Sequence, residues 1–176
     1  MAVAEIKGRL LRRYLDKATM ETSDIGYYKE LLNHLAFDKL EEELLTKSIS
    51  EMEDVLNQIA YDRHTGEGNY LVYRFLMMVM VKKETSAMHL LISRLMGTIL
   101  VGFNQADKIG LYHGLRAAEL DPENIDLLEY LLYFNHIPEK PLEDSKAFFF
   151  AKKVIGKYPD SLAAKMTLGD EWKNEI

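Results

Sequence analysis

The chain has 176 residues, 48% of them apolar and 28% charged, enough for one cored domain with a well-solvated exterior. Its 22 Lys and Arg against 28 Asp and Glu leave a net charge of −6, which argues against a general binder of nucleic acid or of anionic membranes. It contains no Cys, which excludes disulfides, thiolate metal sites and cysteine nucleophiles.

In chain order, Glu5, Lys7, Arg9, Arg12 and Arg13 interrupt every apolar stretch near the start, so no secretory signal is read and a cytoplasmic location is expected. Leu10, Leu11, Tyr14, Leu15 and Ala18 recur at helical spacing and predict a first helix. Thr22-Ser23-Asp24 is a cap cluster. Ile25, Tyr28, Leu31, Leu32, Leu35 and Leu40 then predict a helical stripe reaching Leu45. Ser48 with Glu51, and Ser50 with Glu53, have capping-box spacing, in which the hydroxyl accepts from an orphan amide and the carboxylate reaches back. A helix carrying Met52, Val55, Leu56 and Ile59 follows, then a polar loop over residues 62–69.

Residues 70–81 form the longest apolar run, interrupted by Arg74. As a helix this run covers roughly 18 Å, short of a bilayer core of about 30 Å, so it predicts a central buried helix and no membrane partner. Val72, Val79 and Val81 also suit a strand, but no other segment offers a partner strand. Helices over residues 88–103, 105–120, 125–136, 143–157 and 161–173 bring the total to about nine, and short links imply antiparallel neighbours. The fold predicted is all-α and a single domain over 1–176, either a helical bundle or a short α-solenoid. Residues 1–87 form its N-terminal part and 88–176 a repeat-like C-terminal part.

The repeat signal is punctuation. Leu120-Asp121-Pro122-Glu123-Asn124 and Lys157-Tyr158-Pro159-Asp160-Ser161 each end a helix, stop it with Pro and cap the next, with the prolines 37 residues apart. Leu168-Gly169 lies nine residues after Pro159, as Leu131-Leu132 does after Pro122. On these residues the 88–176 segment resembles tetratricopeptide repeats, whose period is about 34 and whose pattern includes L-G-x-x-Y and a late Pro. Leu168-Gly169-Asp170-Glu171-Trp172 is similar to that core, with Trp for Tyr, and residues 137–141 accommodate the extra length. The chain departs from the family at Gly110 and Gly114, where Ala and an aromatic are usual, and at Leu132, which replaces glycine. The resemblance implies helical-hairpin packing and carries no catalytic residue.

Chemistry-bearing motifs are sparse. None of His34, His64, His89, His113 and His136 is followed by Glu or preceded by Glu at three residues, so zinc-protease and di-iron patterns are missing. Glu30 and His34 share a helix face and read as a surface contact, while His89, His113 and His136 read as hydrogen-bonded interior or boundary residues. No phosphate-binding loop, dinucleotide turn or nucleophile elbow is present. No catalytic residue, cofactor site or metal site is therefore assigned. The enzymatic alternative rests on the loop Asp62-Arg63-His64-Thr65-Gly66-Glu67, and a small-ligand alternative on a groove lined by Met77, Met78, Met80, Met88 and Met96.

Charge is more informative. Residues 117–144 hold eight acids against Lys140 alone, a window of −7, and residues 38–54 hold seven against Lys39 and Lys47, a window of −5. The remainder carries +6, part of it in Lys7, Arg9, Arg12, Arg13 and Lys17. Clustered charge speeds capture of an oppositely charged partner, and interleaved aromatics supply buried area. Glu119, Asp121, Glu123, Asp126, Glu129, Tyr130, Tyr133 and Glu139 are accordingly the expected partner-binding residues. The expected function is a non-catalytic protein-binding module that engages a basic protein. Size, acidity and missing active-site motifs resemble small bacterial immunity proteins, which implies a toxin domain as partner. A repeat adaptor or regulator gripping peptides is the other binding-module alternative, and a homo-oligomer is compatible with either.

Overall fold

The computed structural model describes residues 22–61 and 66–174. In order it contains α1 (Thr22–Asn33), α2 (Phe37–Leu44), α3 (Ile49–Ala60), α4 (Leu71–Lys82) and α5 (Ser86–Gly97). There follow α6 (Ala106–Leu120), α7 (Ile125–Leu131), α8 (Tyr133–His136), α9 (Asp144–Lys157), α10 (Leu162–Leu168) and a 3-10 turn (Gly169–Asn174). The fold is all-α, and the one non-helical pairing described is an isolated bridge between Tyr61 and Gly68. The helix expected around Leu10–Ala18 lies outside the described residues.

Local chemistry explains where the helices begin and end. Ser48 accepts from the Glu51 amide at 3.3 Å while Glu51 Oε2 accepts from the Ser48 amide at 2.8 Å, the reciprocal box that starts α3. Ser50 and Glu53 make no such box, and Glu53 is instead buried and bonded to Arg94 at 3.1 Å. Asn69 Oδ1 accepts from the Leu71 amide at 3.0 Å to open α4, and Asn69 Nδ2 donates to Asn33 Oδ1 at the end of α1. The stripe expected to run unbroken to Leu45 is interrupted at Leu35, which adopts φ 58°. Leu35 and Ala36 amides donate to Leu32 and Leu31 carbonyls, a Schellman closure with Leu where Gly is customary.

The helix over Leu71–Lys82 corrects a second expectation. Val72, Phe75, Leu76, Val79 and Met80 are buried, but Arg74 is exposed and Val81 is 86% exposed, so α4 is amphipathic and lies at the surface. Two further expected helices are also broken, 125–136 at Leu132 and 161–173 at Gly169, where φ is +58°.

The most extensive helix pair is α5 with α6. Ser86 Oγ donates to Ala117 O at 2.9 Å, His89 Nδ1 meets His113 Nδ1 at 2.8 Å, and Ser93 Oγ donates to Gly110 O at 2.6 Å. Numbers rise along α5 as they fall along α6, so the hairpin is antiparallel and polar-bridged at three levels. Gly110 and Gly114 allow the approach. A Cβ at Gly114 would lie 2.7 Å from Leu131 Cδ2 and 3.0 Å from Ser93 Oγ, and one at Gly110 would lie 3.2 Å from both Met96 and Phe134.

Alternate helices run parallel. Ser93 Oγ is 3.0 Å from Tyr130 OH, and Tyr133 OH donates to Gly97 O at 3.5 Å, so α5 and the α7–α8 segment advance together. Ser161 Oγ donates to Glu129 Oε1 at 2.5 Å, and His136 Nε2 pairs with Thr167 Oγ1 at 2.9 Å, so α7–α8 and α10 advance together. Between them α6 packs on α5 and α7, and α9 on α7 and α10. The apolar interior is divided into a cluster running from Tyr28 to Ala106 and one running from Leu111 to Leu168. Gly110 lies between Met96 of the first and Phe134 of the second.

Gly114→Ala is expected to cost about 1–3 kcal/mol, because Leu131 is fully buried and Ser93 is already committed to Gly110. Gly156→Ala, on α9 with no atom near its added Cβ, is expected to gain about 0.5–1 kcal/mol. Urea unfolding of both variants measures the contrast, and equal effects would show that the α5–α6 approach does not depend on glycine.

Candidate functional site

Five of the six expected partner-binding acids fall on the end of α6, the turn after it and α7. Glu119 is exposed in the last turn of α6, Asp121 and Glu123 are in the turn, and Asp126 is exposed in the first turn of α7. Asp121 Oδ2 accepts from Asn124 Nδ2 at 2.9 Å, Asp126 Oδ1 from Tyr158 OH at 2.6 Å, and Glu129 Oε1 from Ser161 Oγ at 2.5 Å. All three donors are neutral. They fix the carboxylates in place and leave their charge uncompensated.

Several acids elsewhere are held by cations, while Glu51 is held by Ser48 in the α3 capping box. Glu41 and Asp38 pair with Lys82, Glu53 with Arg94, Asp144 with Lys140, and Asp160 with Lys165. Glu41 and Glu53 are themselves buried, at 9% and 8% exposure, so the 38–54 window is partly interior. Glu119 belongs with the paired acids, since Arg116 Nη1 donates to it at 3.0 Å. Asp121, Asp126 and Glu129 thus share neutral support, and they lie together around the turn between α6 and α7.

The two tyrosines expected beside these acids face the interior. Tyr130 reaches Ser93 in the α5–α6 seam with Arg94 6.0 Å above its ring, and burial pushes its hydroxyl above the usual tyrosine range. Tyr133 is half-buried, and burial together with nearby Glu139 raises its hydroxyl as well. They position the α7–α8 segment on α5. Glu139 lies in the exposed link between α8 and α9, where Asn135 Nδ2 donates to Leu142 O at 3.0 Å and Asp144 Oδ1 at 2.7 Å.

A second constellation, Glu84, His89, His113 and Arg116, spans the α4–α5 link, α5 and α6. Arg116 donates to Glu84 through Nε at 2.9 Å and Nη2 at 3.2 Å, and His89 Nε2 lies 3.0 Å from Glu84 Oε1. Arg116 first, and then His89, hold the Glu84 carboxyl down at about 2. An ionised carboxylate only accepts, so His89 Nε2 carries the proton it donates. His89 Nδ1 and His113 Nδ1 face each other across 2.8 Å, so one ring donates and the other accepts. Burial, followed by the neighbouring His89, pushes His113 down to about 4, consistent with a neutral ring. The rings of Tyr73 and Tyr112 stand edge-on to His113. The sequence offered these histidines only as separate interior residues, because their pairing joins positions 24 apart on facing helices.

Among the described residues no group of three or more His, Cys, Asp or Glu is arranged to hold a metal ion, and no helix is long and apolar enough to cross a membrane. His34 Nδ1 engages the Glu30 carbonyl rather than its carboxylate. Of the loop considered for an enzymatic reading, Asp62, Arg63, His64 and Thr65 lie outside the described residues, while Gly66 and Glu67 are exposed. Met80, Met88 and Met96 are buried in the first apolar cluster, with Met77 and Met78 packed on it. No protein-family model, curated protein or solved structure matches the chain.

The histidine pair predicts an acid-labile hairpin. His113 has a depressed value when folded, so its contribution is complete above its ordinary value of 6.5 and is lost as pH falls through about 4. The loss corresponds to at most about 3 kcal/mol. The Glu84 contribution is lost in a lower window, between 4.5 and about 2. Urea midpoints measured from pH 7 to pH 4 should fall in the native chain and fall less in His113→Phe, whose baseline is lower because His89 Nδ1 loses its partner. Parallel pH profiles would show that the pair does not titrate as assigned.

Proposed function

We propose that this chain is a non-catalytic protein-binding scaffold whose acidic surface, centred on Asp121, Asp126 and Glu129 and flanked by Glu119, Glu123 and Glu139, engages a basic protein. The observation that carries this reading is the neutral support of Asp121, Asp126 and Glu129 by Asn124, Tyr158 and Ser161. Carboxylates fixed before a partner arrives lose little side-chain freedom on binding, and their unpaired charge steers a basic surface toward them. The parallel register of α5, α7–α8 and α10 supports a tetratricopeptide-like stacking of hairpins, which presents successive turns along one edge. A toxin domain neutralised in the cytoplasm is the specific partner this proposal favours, by resemblance of type to small bacterial immunity proteins.

Asp126→Asn with Glu129→Gln is the discriminating variant. It retains acceptors for Tyr158 and Ser161 and removes two charges. Against the basic protein captured stoichiometrically by the native chain, its association rate at low ionic strength should fall by roughly three- to tenfold, with dissociation little changed. The difference should shrink in high salt. An unaltered association rate would remove the acidic surface from the interface.

A further inference from the structure

Helix α9 has one face that the fold leaves open. Ala147, Phe150, Ala151, Val154 and Ile155 are buried, while Lys146, Phe149, Lys153 and Lys157 recur along one flank of the helix and are all exposed. From Ser145 to Pro159 the chain carries four lysines and no acid. Phe149, 54% exposed, lies within the stripe, with Lys153 Nζ 4.8 Å over its ring. Among the described residues no ion pair joins Lys146, Lys153 or Lys157 to a carboxylate.

This stripe begins where the acidic surface ends. Tyr158 OH donates to Asp126 at 2.6 Å, and Lys157 Nζ lies 5.1 Å over the Tyr158 ring. From there the lysines extend along α9 for roughly 16 Å, at 1.5 Å per residue. A basic stripe and an acidic turn that adjoin in one molecule are self-complementary about a two-fold axis at their boundary, since each half meets its opposite on the other copy. A nucleic acid laid on the stripe would meet the acidic turn at its edge and be repelled.

We propose that the chain forms a symmetric dimer in which the Lys146–Phe149–Lys153–Lys157 stripe of each copy seats on the Glu123–Asp126 turn of the other. The basic surface met by the acidic one is then the lysine stripe of a second copy of this chain, so the inference rests on the acidic surface being an interface. Phe149 supplies the apolar contact that exposed charges alone do not.

Analytical ultracentrifugation across concentration and salt, with two charge-reversed variants, tests the proposal. Lys146→Glu with Lys153→Glu makes both patches acidic, and Glu123→Lys with Asp126→Lys makes both basic. The native chain should dimerise at low ionic strength and dissociate in high salt. Each variant alone should remain folded by circular dichroism and monomeric, and an equimolar mixture should form a one-to-one heterodimer at least about tenfold tighter than either homodimer. Phe149→Ala should weaken the native dimer by about tenfold and leave its salt dependence unchanged. A native chain monomeric throughout, a mixture that stays monomeric, an open-ended polymer, or retention of the native chain by DNA would each overturn the dimer. If the dimer fails while Asp126→Asn with Glu129→Gln still slows capture of a different basic protein, the proposed function stands without it. If the lysine variant loses the dimer while the Glu123→Lys, Asp126→Lys variant keeps it, the stripe seats on another surface and the dimer proposed here is overturned.

Discussion

The close approach of α5 and α6 through Gly110 and Gly114 constrains the rest of the molecule. At Gly110 and Gly114 there is no room for a larger side chain on α6, so Ser93 reaches the Gly110 carbonyl directly, and beside them His89 meets the His113 ring. Buried polar groups are tolerated only when paired, and Ser86, His89, Ser93 and His113 satisfy one another or a main-chain carbonyl. The bridges also fix the axial register of the hairpin, because a slip by one residue would break the Ser86–Ala117, His89–His113 and Ser93–Gly110 contacts together. Apolar contact alone would leave such a slip inexpensive.

The seam then propagates. Tyr130 adds its hydroxyl to Ser93, and Gly110 receives Phe134 against its bare Cα, so α7–α8 is placed by the same residues that lock α5 to α6. From α7–α8 the register passes to α10 through the Glu129–Ser161 and His136–Thr167 bonds. The turn after α6 and the turn after α9 are thereby brought into contact, and the acidic surface and the lysine stripe meet there through Asp126 and Tyr158. Charge patterning at that edge is thus a consequence of a packing event two helices away.

The legible parts of this fold are those whose cause is local. The Ser48–Glu51 box, the helix stops before Pro122 and Pro159, and the helical period of α3, α6 and α9 each depend on a few neighbouring residues, and the structure follows them closely. The break at Leu35 was not legible, because a leucine in the left-handed region is held there by the surrounding fold and carries no glycine signature. The outward face of α4 was missed for a related reason: Val81 is apolar yet 86% exposed, so composition overstated burial. The histidine bridge depends on residues 24 apart whose meeting requires the two glycines, which read in sequence only as departures from a repeat pattern.

The acidic windows show most directly what a sum of charges cannot resolve. Both have a large net negative charge, but in the 38–54 window Glu41 and Glu53 are buried against Lys82 and Arg94 from later helices and tie α2 and α3 into the core. In the 117–144 window Asp121, Asp126 and Glu129 are met by an amide, a phenol and a hydroxyl. A cationic partner cancels an acid's long-range field, whereas a neutral donor aims it and leaves the field intact. The identity of the donor, supplied by residues three or 32 positions away, therefore distinguishes Asp121, Asp126 and Glu129 from Glu41 and Glu53, whose cationic partners tie helices together.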